Sequence, residues 1–279
     1  MSNKSIRASF CSGLYVILSS TFCEAQKVTT PELSARDIMV KNDDARKVQS
    51  VQSKATISST GGGSKDHTKS FTWWRKLTDD GSRFNTLTKF QSPAEVKGEG
   101  ILFLELPGGS ADVQLYLPNF KKIRRVEESQ QSGSFMGSEF SYTDIAAPHV
   151  DDFNYKLLKN EKCPLPGDQT QMCFVVESTP KTDEVKNRTG ASRGLSWIRP
   201  DNFMAVRGEY FDQEGKPWKH MEAKNIKEVD LKLHKWMAMD VSMENSKSNR
   251  HTALHFEDVQ ANQKMQLSLF TAQNLARGL

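Results

Sequence analysis

The sequence predicts a mainly β protein, with one antiparallel sheet curled into a barrel or half-barrel and a single long helix near its start. Three observations carry this. Apolar residues alternate along about a dozen short segments, as a half-buried strand requires. Clusters of Gly, Pro and Asp separate those segments as hairpin turns do. One long stretch alone keeps helical spacing, so the alternating βα pattern of a parallel sheet is missing.

The chain opens on an expected secretory signal peptide, residues 1–25. Lys4 and Arg7 form a basic start, Ala8 to Phe22 is uncharged, and Cys23-Glu24-Ala25 ends in a small residue suited to cleavage after Ala25. The apolar run is shorter than the ~20 residues that span a bilayer. A lipid anchor at Cys23 is disfavoured, because Phe22 and Ser20 stand where a lipoprotein signal wants small and aliphatic residues. Removing this segment takes 38 basic and 34 acidic residues to 36 and 33, a balance of +3.

Thr30-Pro31-Glu32 then reads as a helix start, with a cap, a first-turn proline and an acid at the positive end of the dipole. Ala35, Ile38, Met39 and Ala45 continue it to Arg46. Strands are expected over residues 51–57, 71–77, 84–90, 101–106 and 113–117. Further candidates are 140–144, 153–158, 172–178, 195–199, 203–210, 217–223, 236–243 and 252–256. A short helix, Leu267 to Ala276, closes the chain before Gly278. No repeat, linker or composition break divides residues 26–279, which are expected to form one domain.

Composition excludes several classes. Of the 279 residues 37% are hydrophobic, too few for a polytopic membrane protein, and 9% aromatic with a net charge of +4, unlike a disordered chain. That charge is too small for a strong nucleic-acid field. The two cysteines left after cleavage, Cys163 and Cys173, flank a Pro/Gly turn and read as a local disulfide in an exported chain, with two free thiols as the alternative.

Several expected strands are apolar on both faces: Ile101 to Leu104, Phe203 to Val206, and Trp236 to Met239. Helices and loops covering both sides would explain this, and so would a concave face holding an apolar ligand. Catalytic motifs are weak. Gly190-Ala191-Ser192-Arg193-Gly194 matches the nucleophile-elbow pattern, but a strand is expected after it where the elbow needs a helix, so a hairpin turn is preferred. His251 and His255 would share a face only on a helix, and their segment reads as a strand with rim histidines. Asn187-Arg188-Thr189 is a glycosylation triplet of the kind common by chance. Lys121-Lys122-Ile123-Arg124-Arg125 is the densest charge run, either a solvated turn or a docking patch for an acidic protein surface or lipid headgroups.

The centre of the chain carries a resemblance. Leu115-Tyr116-Leu117-Pro118 runs into Lys122 and Arg124-Arg125, then Ser134-Phe135-Met136-Gly137-Ser138-Glu139-Phe140-Ser141-Tyr142-Thr143-Asp144 follows. With the ending Ser268-Leu269-Phe270-Thr271 and Asn274-Leu275, this resembles the outer-membrane lipoprotein-sorting protein family, relatives of the periplasmic carrier LolA. The resemblance implies a curved antiparallel half-barrel of about eleven strands with helices across its open face. It also implies a hydrophobic cavity for the acyl chains of lipoproteins or lipids, and an exporter of the RND superfamily as a partner. A non-enzymatic periplasmic carrier without cofactor or metal is therefore expected. Phe103, Phe203, Trp236 and Met239 are the expected cavity residues, and Lys121, Lys122, Arg124 and Arg125 the docking residues. The alternatives are an exporter subunit without lipid cargo and a serine hydrolase built on Ser192.

Overall fold

A computed structural model describes residues 33–277 apart from 64, 108, 147–148 and 165–169. The expected signal peptide and the expected cap at Thr30-Pro31-Glu32 lie outside the described residues, as does Gly278. The first helix, α1 (Ala35–Ala45), starts instead at Ser34. The Ser34 hydroxyl accepts from the Asp37 amide at 3.1 Å, and the Asp37 carboxylate accepts from the Ser34 amide at 3.2 Å. Ile38 anchors its buried face.

Five strands follow as an outward meander: β1 (Ser50–Gly61), β2 (His67–Leu77), β3 (Phe84–Ser92), β4 (Gly100–Glu105) and β5 (Ala111–Leu117). A sixth, β6 (Lys122–Val126), ends this half of the sheet. The chain then crosses from residue 127 to 152, including the short helix α2 (Tyr142–Ala146). A second meander returns: β7 (Phe153–Lys162), β8 (Met172–Pro180), β9 (Arg193–Ile198) and β10 (Ala205–Phe211). It finishes with β11 (Pro217–Asp230), β12 (Lys235–Asn245) and β13 (Arg250–Ala261). Helix α3 (Asp183–Thr189) joins β8 to β9, and α4 (Ala272–Ala276) ends the described chain.

All pairings are antiparallel, and the strand order is β6-β5-β4-β3-β2-β1-β13-β12-β11-β10-β9-β8-β7. Every neighbour is a chain neighbour except β1 and β13, which zip together with Ala55 opposite Phe256 and Ile57 opposite Leu254. β6 and β7 are left as free edges, so the sheet is open, a curved half-barrel of thirteen strands where about eleven were expected.

Two expectations need correction. The segment 140–144 is not a strand of the sheet, because it lies in the crossover and turns into α2. The charge run around Ile123 is not a turn: it forms β6, whose side chains face solvent at the edge.

The crossover plugs one half of the concave face. Phe135 is fully buried, with ring centroids 6.5, 6.4 and 6.3 Å from Phe71, Phe90 and Phe103. Met136 and Gly137 take positive φ to present Phe135 inward, and the Met136 carbonyl accepts from Lys69. Glu139 fastens the plug to the far strands through Arg250 at 3.2 Å and Asn245 at 2.6 Å. The opposite face of β3 and β4 is covered by the C-terminal segment, where Leu87 and Leu102 pack on Phe270 and Leu275. The two-faced apolar strand Ile101 to Leu104 therefore has protein on both sides.

Cys163 and Cys173 form the expected disulfide, which ties the end of β7 to β8. Among the described residues, no helix is long and apolar enough to cross a membrane.

A candidate ligand cavity beneath the first helix

The other half of the concave face is hollow. The cavity has a volume of about 390 Å³, within the range of ~300–1,000 Å³ usual for small-molecule sites. Its floor comes from the middle strands of the sheet, with Met221 on β11, Val241 and Met243 on β12, and Leu254 and Phe256 on β13. Cross-strand register builds it: Met221 faces Met243, and Val241 faces both Ala223 and Leu254. Met39 and Asn42 of α1 roof one side, and Phe140 and Ile145 of the crossover close the other. Trp73, Trp218 and Trp236 stand in the wall. Unbranched methionines beside rigid indoles suit a flexible hydrocarbon, since the former repack at low cost.

Polar groups are few and mostly engaged. Lys219 lies buried beside Asp144 at 3.5 Å, its ammonium 4.4 Å from the Trp218 ring. The buried Tyr210 phenol lines the wall, and burial together with Asp144 pushes it well above its ordinary value, so it stays neutral. Tyr155 is likewise pushed up by burial, and its hydroxyl donates to the Val150 carbonyl at 2.9 Å.

Of the four residues expected to line a cavity, the structure puts Trp236 in the wall and Phe103, Phe203 and Met239 elsewhere. Phe103 lies beneath the plug against Phe135 and Tyr142. Phe203 stacks on Phe174 at 6.5 Å in the cluster that seats α1, and its carbonyl accepts from Asn42 at 2.7 Å. Met239 is buried away from the hollow. The residues that replace them include Met221 of β11 and Met237 and Met243 of β12.

Lys121, Lys122, Arg124 and Arg125 sit together on the exposed edge at β6, next to Phe120, which is 69% exposed. Arg125 pairs with Asp112 at 2.7 Å, while Lys121, Lys122 and Arg124 have no ion-pair partner among the described residues. Ser192 follows α3 and its C-cap Gly190, and leads into β9, a helix-to-strand turn that reverses the order of a nucleophile elbow and is not the expected hairpin. Its hydroxyl donates to the Asp212 carbonyl at 2.5 Å. His251 and His255 lie on β13, each beside a β12 carboxylate: Glu244 at 3.9 Å and Asp240 at 2.5 Å. The glycosylation triplet falls within α3, where Arg188 is buried and ion-paired with Asp152 at 2.8 Å.

A family model described as "-like: Uncharacterized protein" matches residues 83–277, more than half of the chain. The chain belongs to this family. Its fold is LolA-like. An outer membrane lipoprotein-sorting protein domain, so named, from Vibrio parahaemolyticus superposes with a TM-score of 0.77 at 23% identity, over 87% of this chain and 98% of that one. A DUF1329 family protein from Desulfovibrio piger gives 0.77 at 26% identity, over 86% and 97%. A LolA superfamily protein from Nitrosomonas europaea gives 0.66 at 22%, over 87% and 100%. No curated protein matches the chain. In this LolA-like chain the long motif that carries the resemblance, Ser134 to Asp144, is the plug of the half-barrel, so it marks the fold and borders the cavity through Phe140 and Asp144.

Proposed function

We propose that this protein is a non-enzymatic periplasmic carrier that shelters the acyl chains of lipoproteins or lipids from water. The observation that carries the reading is the hollow itself: an apolar space of about 390 Å³ held open between sheet, α1 and plug, where a filled core would otherwise form. Each methylene removed from water contributes ~0.8 kcal/mol, so one chain burying about ten of them gains ~8 kcal/mol before ordering costs. Residues 26–279 act as one carrier domain in this reading, after export and cleavage of the leader. The names of the similar structures fit such a cargo.

A partner would direct release, because a chain that leaves unaided gives up the same ~8 kcal/mol by returning to water. The basic edge at Lys121, Lys122 and Arg124, with Phe120 beside it, is the proposed docking surface, and an RND-superfamily exporter is the partner the resemblance implies. An accessory subunit without cargo is the second reading. Native mass spectrometry of the purified mature protein, with titration of a fluorescent fatty acid, separates the two. The carrier takes up probe and holds lipid, whereas no uptake by either measurement rejects it.

A further inference from the structure

The apolar cavity borders a charged pocket. It shares Arg46, Arg75, Phe84 and Val150 with a second, smaller pocket of about 220 Å³, and that pocket is lined by charge. Its acids are Asp43, Glu105 and Asp151, and its bases are Arg46, Lys47 and Arg75, with His149 at the rim. Two of the acids are already ion-paired. Asp43 pairs with Lys47 at 2.8 Å and with Arg46 at 3.5 Å, and Asp151 with Arg36, outside the pocket, at 2.6 Å. The pocket thus sets three bases, Arg46, Lys47 and Arg75, against Asp43 and Glu105, and Arg75 faces only Glu105.

Arg75 is poorly served. Its guanidinium lies over the Phe84 ring at 3.8 Å and reaches Glu105 only at 3.7 Å, beyond hydrogen-bond distance. Its buried Nε has no partner. Glu105 accepts from the Phe84 amide at 2.8 Å, and His149 Nε2, 3.8 Å from it, is also buried without a hydrogen bond. Unmatched buried donors facing a pocket are costly unless something fills it. Burial pushes the Glu105 carboxyl up to about 7, so near neutral pH it often leaves Arg75 without a counter-charge.

We propose that this pocket holds the anionic head group, phosphate or carboxylate, of an amphiphile whose hydrocarbon tail lies in the adjoining cavity. The inference rests on the carrier reading and adds a ligand class to it. Arg75 and Arg46 are the binding residues, with His149 as a further donor, and Arg75 stands at the junction of tail and head.

The test is titration of the purified chain with dodecanoate, dodecyl phosphate, dodecanol and inorganic phosphate, followed by tryptophan fluorescence, since three indoles line the cavity. Dodecanoate or dodecyl phosphate should bind about tenfold tighter than dodecanol, which has a similar tail and no charge. Whichever acid is preferred identifies the head group. The preference should fall to about twofold in the Arg75→Gln/Glu105→Gln pair, which leaves no lone buried charge, and should shrink in Arg46→Gln, with urea unfolding of both variants confirming that they fold. Equal binding of acid and alcohol overturns the inference and spares the carrier reading, as does a preference that survives both variants. Inorganic phosphate binding as tightly as dodecyl phosphate overturns the link to a tail. Failure of all three tailed compounds overturns the carrier reading itself.

Discussion

Glu105 shows how much one carboxyl can set. Its folded pKa lies near 7 and its ordinary value near 4.5, because it is buried and the nearby Arg75 only partly offsets that. The folded state therefore binds the proton more tightly than the unfolded chain. Its contribution to stability is present below the unfolded value and is lost as pH rises from about 4.5 to about 7. Relative to Glu105→Gln, the natural protein should lose about 2–3 kcal/mol between pH 4 and pH 8, measured by urea unfolding at each pH. A flat difference would show that Glu105 is solvated. Phe135 is the second residue with a sharp expectation. Phe135→Ala opens a void among Phe71, Phe90 and Phe103 and should cost about 3–5 kcal/mol in the same assay.

At the scale of elements, the hairpin β7–β8 depends on its cross-link. Cys163→Ser/Cys173→Ser should lower stability by about 2–3 kcal/mol, the entropy of a short closed loop, and reducing agent should reproduce the loss in the natural protein. The β6 edge predicts a different readout. Lys121→Glu/Lys122→Glu/Arg124→Glu should leave thermal stability within about 0.5 kcal/mol, as expected of exposed charges, while abolishing the proposed salt-sensitive docking to an acidic partner surface, read by co-purification of the membrane partner at low and high salt. Most strands were legible because alternation and turn residues are local signals, as in Val51 to Ile57 or Phe71 to Leu77. β6 was not, since an edge strand with solvent on its sides carries charge where an inner strand carries Val or Ile. The segment 140–144 misled for the opposite reason: Phe140 and Tyr142 look like strand residues but face the sheet from the crossover.

The site was harder to read than the fold, and the cause lies at the level of the whole molecule. Phe103 looked free to line a hollow because nothing in its own strand shows that Phe135, from the crossover, lies on it. Trp236, expected from local apolarity, stands in the cavity wall, whereas Met221 and Met243 become neighbours only when β11 pairs with β12. The division of the concave face into a plugged half and an empty half is long-range, so it predicts a variant no local rule suggests. Ala223→Phe, opposite Val241 on the floor of the hollow, should weaken fluorescent fatty-acid binding about tenfold while the far-ultraviolet circular dichroism stays unchanged, because the added ring takes up the space left for the tail. Unaltered affinity would place the tail elsewhere.

The pairing of β1 with β13 has one more consequence, for biogenesis. The seam at the middle of the sheet joins the earliest and latest strands of the chain, so β1 must wait with an unsatisfied flank while every other strand is made. Until β13 arrives, that flank and the uncovered Trp and Phe residues beside it are open to wrong partners. Refolding should therefore be slow and concentration-sensitive, and a holdase added before the seam closes should raise the yield of native protein.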